Sequence, residues 1–115
     1  MFISSPNYPK EYNNSEDKDW PIQAPAGQHI TFEFTDFSIE PHSSCQYDWV
    51  QVVDANALQF LNKSCGDTAP KRFLVTSNEA IVKFHSDRSV TKKGFRLKYI
   101  FQKPPGLAGN RPSKT

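Results

Sequence analysis

Three carboxylates carry the first chemical signal in this sequence. Glu40 follows Phe34-Thr35-Asp36-Phe37-Ser38-Ile39, Asp48 follows Cys45-Gln46-Tyr47, and Asp87 follows Phe84-His85-Ser86. Each falls where a strand is expected to meet a loop, and strand ends on one rim of a sandwich can converge. Three carboxylates brought together repel one another, at a cost on the order of several kcal/mol unless a cation neutralises them. Together with loop carbonyls they form a hard-oxygen set, which suits calcium, with its roughly six to eight oxygen ligands, better than zinc. The spacing by itself leaves two readings open: a shared cation site, or three separately solvated loop acids.

Other chemistries find less support. His29, His42 and His85 are scattered, with no HExxH and no partner spacing that would bind zinc. No GxSxG and no Gly-rich phosphate loop occurs, and a chain of 115 residues with an aromatic core leaves little cleft for a substrate. The chain is therefore not expected to be an enzyme. Lys and Arg number 14 against 12 Asp and Glu, a net +2, too small a surplus to imply nucleic acid. Cys45 and Cys65 form no CxxC; a bridge between them would close about 21 residues and contribute about 3 kcal/mol in the chain-entropy model. No apolar run approaches the ~20 residues of a membrane-spanning helix, and Met1-Phe2-Ile3-Ser4 lacks the pattern of a leader. A cytoplasmic protein or a mature extracellular piece both fit that start, and the cysteine usage favours the second.

The elements that must position these residues are strands. Nine prolines and recurring Asn, Asp, Ser and Gly clusters break the chain every ten residues or so, leaving no window for a long amphipathic helix. Apolar residues alternate in His29 to Thr35, and again in Phe95 to Phe101 with Phe95, Leu97, Tyr99 and Phe101 inward. Further strands are expected at Phe2 to Ser4, Asp19 to Ala24, Asp48 to Val53, Leu58 to Leu61, Arg72 to Thr76 and Glu79 to Phe84. Short strands with polar turns specify an all-β fold, an antiparallel β-sandwich, and nine Phe, four Tyr and two Trp supply large side chains for its core. Trp20, Phe32, Phe34, Val50, Val52, Phe84, Phe95, Leu97 and Tyr99 are the expected core. Ser5-Pro6-Asn7-Tyr8-Pro9 should run along an edge or over the surface. The domain is expected to occupy residues 1–102, and residues 103–115, with three Pro and two Gly, to form a linker or tail.

Ser5-Pro6-Asn7-Tyr8-Pro9 with Tyr12, Trp20 with Ile22, Phe37-x-Ile39-Glu40, Cys45-x-Tyr47-Asp48, Ser64-Cys65-Gly66, Ser86-Asp87-x-Ser89 and Gly94-Phe95 occur in the order found in CUB domains. The resemblance runs from about Ile3 to Phe101. It implies a jelly-roll-like two-sheet sandwich, secretion, and a Cys45–Cys65 disulfide. The family usually has a second cysteine pair, but Lys18 stands where one of its members would be. The chain thus resembles the two-cysteine, N-terminal CUB domain of complement-initiating proteases, and its first strand should be more weakly tethered.

The calcium-binding subset of the family uses motif positions that are all present. Carried over, Glu40, Asp48 and Asp87 are implied as side-chain calcium ligands, Ser89 and the Val90 carbonyl as loop ligands, and Tyr12 as the residue that orients a carboxylate through its hydroxyl. Three carboxylates and one calcium leave a residual −1, against which an exposed Lys of an extracellular protein partner can dock. The alternative is a calcium-independent polysaccharide-binding module of spermadhesin type. In it Lys83, Arg96 and Lys98, on two strands expected to be neighbours, form one basic face for a glycosaminoglycan; a solvated strand face is the plainer reading of the same residues. Asn13-Asn14-Ser15 and Asn62-Lys63-Ser64 fit the N-glycosylation pattern, with Asn13 and Asn62 as acceptors.

Overall fold

The computed structural model describes residues 1–54 and 58–104. Among the described residues eight strands follow one another: β1 (Phe2–Ser4), β2 (Asp17–Gln23), β3 (His29–Ser38), β4 (Trp49–Val53), β5 (Gln59–Ser64), β6 (Phe73–Val75), β7 (Glu79–His85) and β8 (Gly94–Gln102). They form two four-stranded antiparallel sheets, ordered β1-β8-β3-β6 and β2-β7-β4-β5. The expected linker lies outside the described residues from 105 onward.

Period-two patterning explains the sandwich. Ile30, Phe32 and Phe34 of β3 and Phe95 and Leu97 of β8 turn inward from one sheet, and Ile22, Val50, Val52, Val82 and Phe84 meet them from the other. Burying one such side chain contributes about 1.5–3 kcal/mol. Trp20 and Tyr99 are only partly buried and pack at the margin of this core. The alternation in β3 changes phase at a bulge between Phe34 and Asp36, after which Phe37 and Ile39 point inward. That phase change carries β3 on to Ser38, three residues beyond the alternation legible in the sequence, and delivers Glu40 to the end of the sandwich.

Strand direction gathers the acidic residues. β3 and β7 run toward one rim, while β4 and β8 leave it: Ser38 pairs with Gly94, and Trp49 pairs with His85, itself opposite Asp17. Three connections meet there, residues 5–16, 39–48 and 86–93. The disulfide Cys45–Cys65 and the Ile39–Gly66 bridge tie the second of them to the end of β5. Residues 5–16 are stitched to the third, with Tyr12 N–H donating to the Lys92 carbonyl and Ser15 N–H to the Asp87 carbonyl.

Candidate metal centre

Glu40, Asp48 and Asp87, one from the end of β3, one preceding β4 and one following β7, present carboxylate oxygens that lie within 4.8 Å of one another. Asp48 has no exposed surface, Glu40 is 8% exposed, and Asp87 is partly exposed. The three acids thus open to solvent on the Asp87 side.

The buried Asp48 is held on both oxygens. Its Oδ2 accepts the Tyr12 hydroxyl at 2.6 Å, and its Oδ1 accepts the Asp87 backbone N–H at 2.7 Å. The same Tyr12 hydroxyl accepts the Glu40 N–H at 3.2 Å. Tyr12 therefore links two of the three acids. Burial, and next the bond to Asp48, push its hydroxyl far above the ordinary phenol range, so it remains a proton donor. Glu40 Oε1, by contrast, is buried and has no hydrogen-bond partner among the described residues.

Electrostatics follow from that crowding. Burial, followed by the charges of Asp48 and Asp87, raises the Glu40 carboxyl above the usual carboxylate range. Burial also raises Asp48; the Tyr12 hydroxyl and the Asp87 N–H work against that rise, and the Asp87 charge adds to it. Such a group of acids takes up a proton or a cation.

The loop that carries Asp87 is shaped at several points. Asp87 Oδ1 accepts the Ser89 N–H at 3.1 Å, and Val90 adopts a left-handed backbone (φ 62°) and is 52% exposed. Ser86, fully buried, donates to the Asn13 carbonyl at 2.7 Å and accepts the Glu16 N–H at 2.8 Å. At the far end Lys93 pairs with Asp36 at 2.5 Å, and Asp36 also accepts the Tyr8 hydroxyl at 2.5 Å. Sequence reasoning assigned Ser86, Tyr8 and Asp36 no role, and placed Lys93 only on a loop beside the expected basic face. The only signal was that Ser86 and Tyr8 fall inside quoted motifs.

The single basic face does not form. The hydrogen-bonded neighbours of β7 are β2 and β4, whereas those of β8 are β1 and β3. Val82 and Phe84 face the core from one sheet and Phe95 and Leu97 from the other, so alternation sends Lys83 out on one side of the molecule and Arg96 and Lys98 out on the opposite side. Lys83 is bonded to Asp19 at 3.2 Å, and the Arg96 guanidinium lies 3.7 Å from the centre of the Phe2 ring. Asn13 and Asn62 are both exposed, the first before a turn beside the rim and the second on the edge strand β5.

Comparison with known proteins agrees with this architecture. The CUB domain family model matches residues 1–99. Tolloid-like protein 1 of Mus musculus is 36% identical over 96 residues, covering 82% of this chain; the chain spans only 10% of that relative's length. The full extracellular region of zebrafish Gpr126/Adgrg6 superposes with a TM-score of 0.82 at 38% identity, over 90% of this chain and 14% of that one. The MASP-1 CUB2 domain, crystallised bound to Ca2+, gives a TM-score of 0.75 at 30% identity, over 85% of this chain and 88% of that one.

Proposed function

This chain belongs to the CUB domain family, and from that premise we propose that it is an extracellular, calcium-dependent protein-binding module, one part of a longer protein, that binds and does not catalyse. One observation carries the reading: among the described residues Glu40 Oε1 is buried without a hydrogen-bond partner, in a group of three carboxylates whose oxygens lie within 4.8 Å of one another. A buried polar atom left unpaired costs about 1–3 kcal/mol, more when charged. A cation relieves the repulsion of all three carboxylates at once and supplies that missing partner. The gathered donors are all oxygens, with neither thiolate nor imidazole, which favours calcium over zinc. The calcium-bound MASP-1 CUB2 neighbour supports the same choice.

In this reading Glu40, Asp48 and Asp87 hold the ion, with Ser89 and the Val90 carbonyl as further oxygen donors. Bound calcium supplies two positive charges against three negative ones. Tyr12 keeps Asp48 aimed into the site, and Asp87, the least buried of the acids, carries the remaining negative charge to the surface. A compact Lys ammonium on a partner protein pairs with that charge at the rim. The site so organises a docking surface and activates no water. An extracellular setting accords with the disulfide and with the extracellular region of Gpr126/Adgrg6 that the chain resembles.

Retention on immobilised lysine tests the reading. The chain is expected to bind in millimolar calcium, to elute with chelator, and to lose retention in Asp87→Asn. Equal retention with and without calcium contradicts it.

A further inference from the structure

One sequence motif remains outside that reading, the sequon Asn13-Asn14-Ser15. Its location is specific. Asn13, Asn14 and Ser15 are all exposed, in and next to a turn where Ser15 has φ 58°. The Asn13 carbonyl accepts the hydroxyl of Ser86, the residue before Asp87, and the Ser15 N–H donates to the carbonyl of Asp87 itself, each at 2.7 Å. The backbone of the sequon is therefore bonded directly to the segment that carries the least buried acid of the rim.

We propose that Asn13 carries an N-linked glycan and that this glycan screens the acidic rim, so that occupancy of Asn13 regulates partner docking; the regulatory half rests on the docking function proposed above. In the transfer step Asn13 Nδ2 loses one proton and bonds to the anomeric carbon of a lipid-linked oligosaccharide, and the lipid pyrophosphate leaves. One N–H remains on Nδ2, enough to keep its bond to Glu16 Oε2 at 3.3 Å, while Oδ1 still accepts from Asn7 at 3.1 Å. Those two bonds hold the glycan stem to the turn beside Asp87. A bulky, hydrated saccharide there leaves the carboxylates free to take up an ion but narrows the directions from which a protein can approach.

The second sequon provides an internal control. Asn62 is exposed on the edge strand β5, next to Leu61, which pairs with Val52 and lies farther from the rim than the Ser64–Val50 pair. A glycan there should leave docking unchanged.

The test uses the full chain secreted from eukaryotic cells, with glycopeptides mapped by mass spectrometry. Asn13 is expected to be occupied. Ser15→Ala removes the glycan and keeps the backbone N–H that bonds Asp87; Asn13→Gln removes it by a second route should Ser15→Ala disturb the turn. Both variants should show the same calcium-induced thermal shift as wild type and several-fold stronger calcium-dependent retention on immobilised lysine, whereas Asn62→Gln should match wild type. An unmodified Asn13, or equal retention of occupied wild type and both variants, overturns the proposal. Failure of every form to bind lysine in calcium refutes the docking function, and the regulation with it, while the glycopeptide map still decides Asn13 occupancy on its own.

Discussion

Replacing Tyr12 by Phe removes a single oxygen from the middle of the site. The ring keeps its edge-on contact with Phe84 at 5.0 Å between centroids, so the loss is confined to hydrogen bonding. Two buried groups lose their partner: Asp48 Oδ2, which accepts the hydroxyl at 2.6 Å, and the Glu40 N–H, which donates to it at 3.2 Å. At about 1–3 kcal/mol for each buried group left unpaired, with the charged one toward the upper end, the variant should lose about 3–4 kcal/mol without calcium. That corresponds to a fall in thermal midpoint of roughly 15–25 °C for a domain of this size. The effect should also depend on pH. The hydroxyl bond holds the raised Asp48 carboxyl down, and without it burial pushes that group higher still. A carboxyl whose folded pKa lies above its unfolded one binds more protons when folded, so stability falls as pH rises through the interval between the two. The gap between wild type and variant should therefore narrow in acid, where only the Glu40 N–H loss remains, and widen toward neutrality. Urea denaturation in chelator at several pH values measures this. A loss under about 1 kcal/mol, within reach of an ordinary surface change, or a loss independent of pH, would refute the role assigned to Tyr12.

Asp36→Asn should destabilise the chain at neutral pH and have little effect in strong acid. Lys93, and after it the Tyr8 hydroxyl, hold the Asp36 carboxyl below its usual range, so its contribution is present above the unfolded carboxylate pKa and is lost as pH falls through the depressed one; urea midpoints of the two proteins across that interval check the sign. Gly94→Ala should cost about 3 kcal/mol in chemical denaturation, because Gly94 has φ 96° and an added Cβ would sit 1.8 Å from Ser5 Oγ. Replacing Cys45 and Cys65 together by Ser opens a loop spanning 20 positions and should cost about 3 kcal/mol, measured the same way.

The strands were legible because each carries its own pattern. Phe95 to Phe101 and His29 to Thr35 alternate cleanly, and one buried face is enough to produce that alternation. What followed Thr35 was harder to read, since a bulge inverts the phase and Phe37 and Ile39 then look out of register with Phe34. Pairing was less legible still. β7 and β8 are consecutive, yet they lie in different sheets, and local periodicity contains nothing that says so; the expected union of Lys83 with Arg96 and Lys98 failed for that reason. The acids came together because Glu40, Asp48 and Asp87 each end or begin a strand at the same rim. The cluster of Tyr8, Asp36 and Lys93 draws on three distant segments with no shared motif, and only the folded chain brings them within hydrogen-bond distance.

The central claim is that Glu40, Asp48 and Asp87 form a calcium site. Isothermal titration of the chelator-stripped chain with calcium tests it most directly. The predicted result is one ion per chain with a dissociation constant of about 10⁻⁴–10⁻³ M, the range of extracellular modules, and loss of that binding in Asp87→Asn. A chain that takes up no calcium at millimolar concentrations, or an Asp87→Asn variant that binds it as wild type does, would contradict the claim.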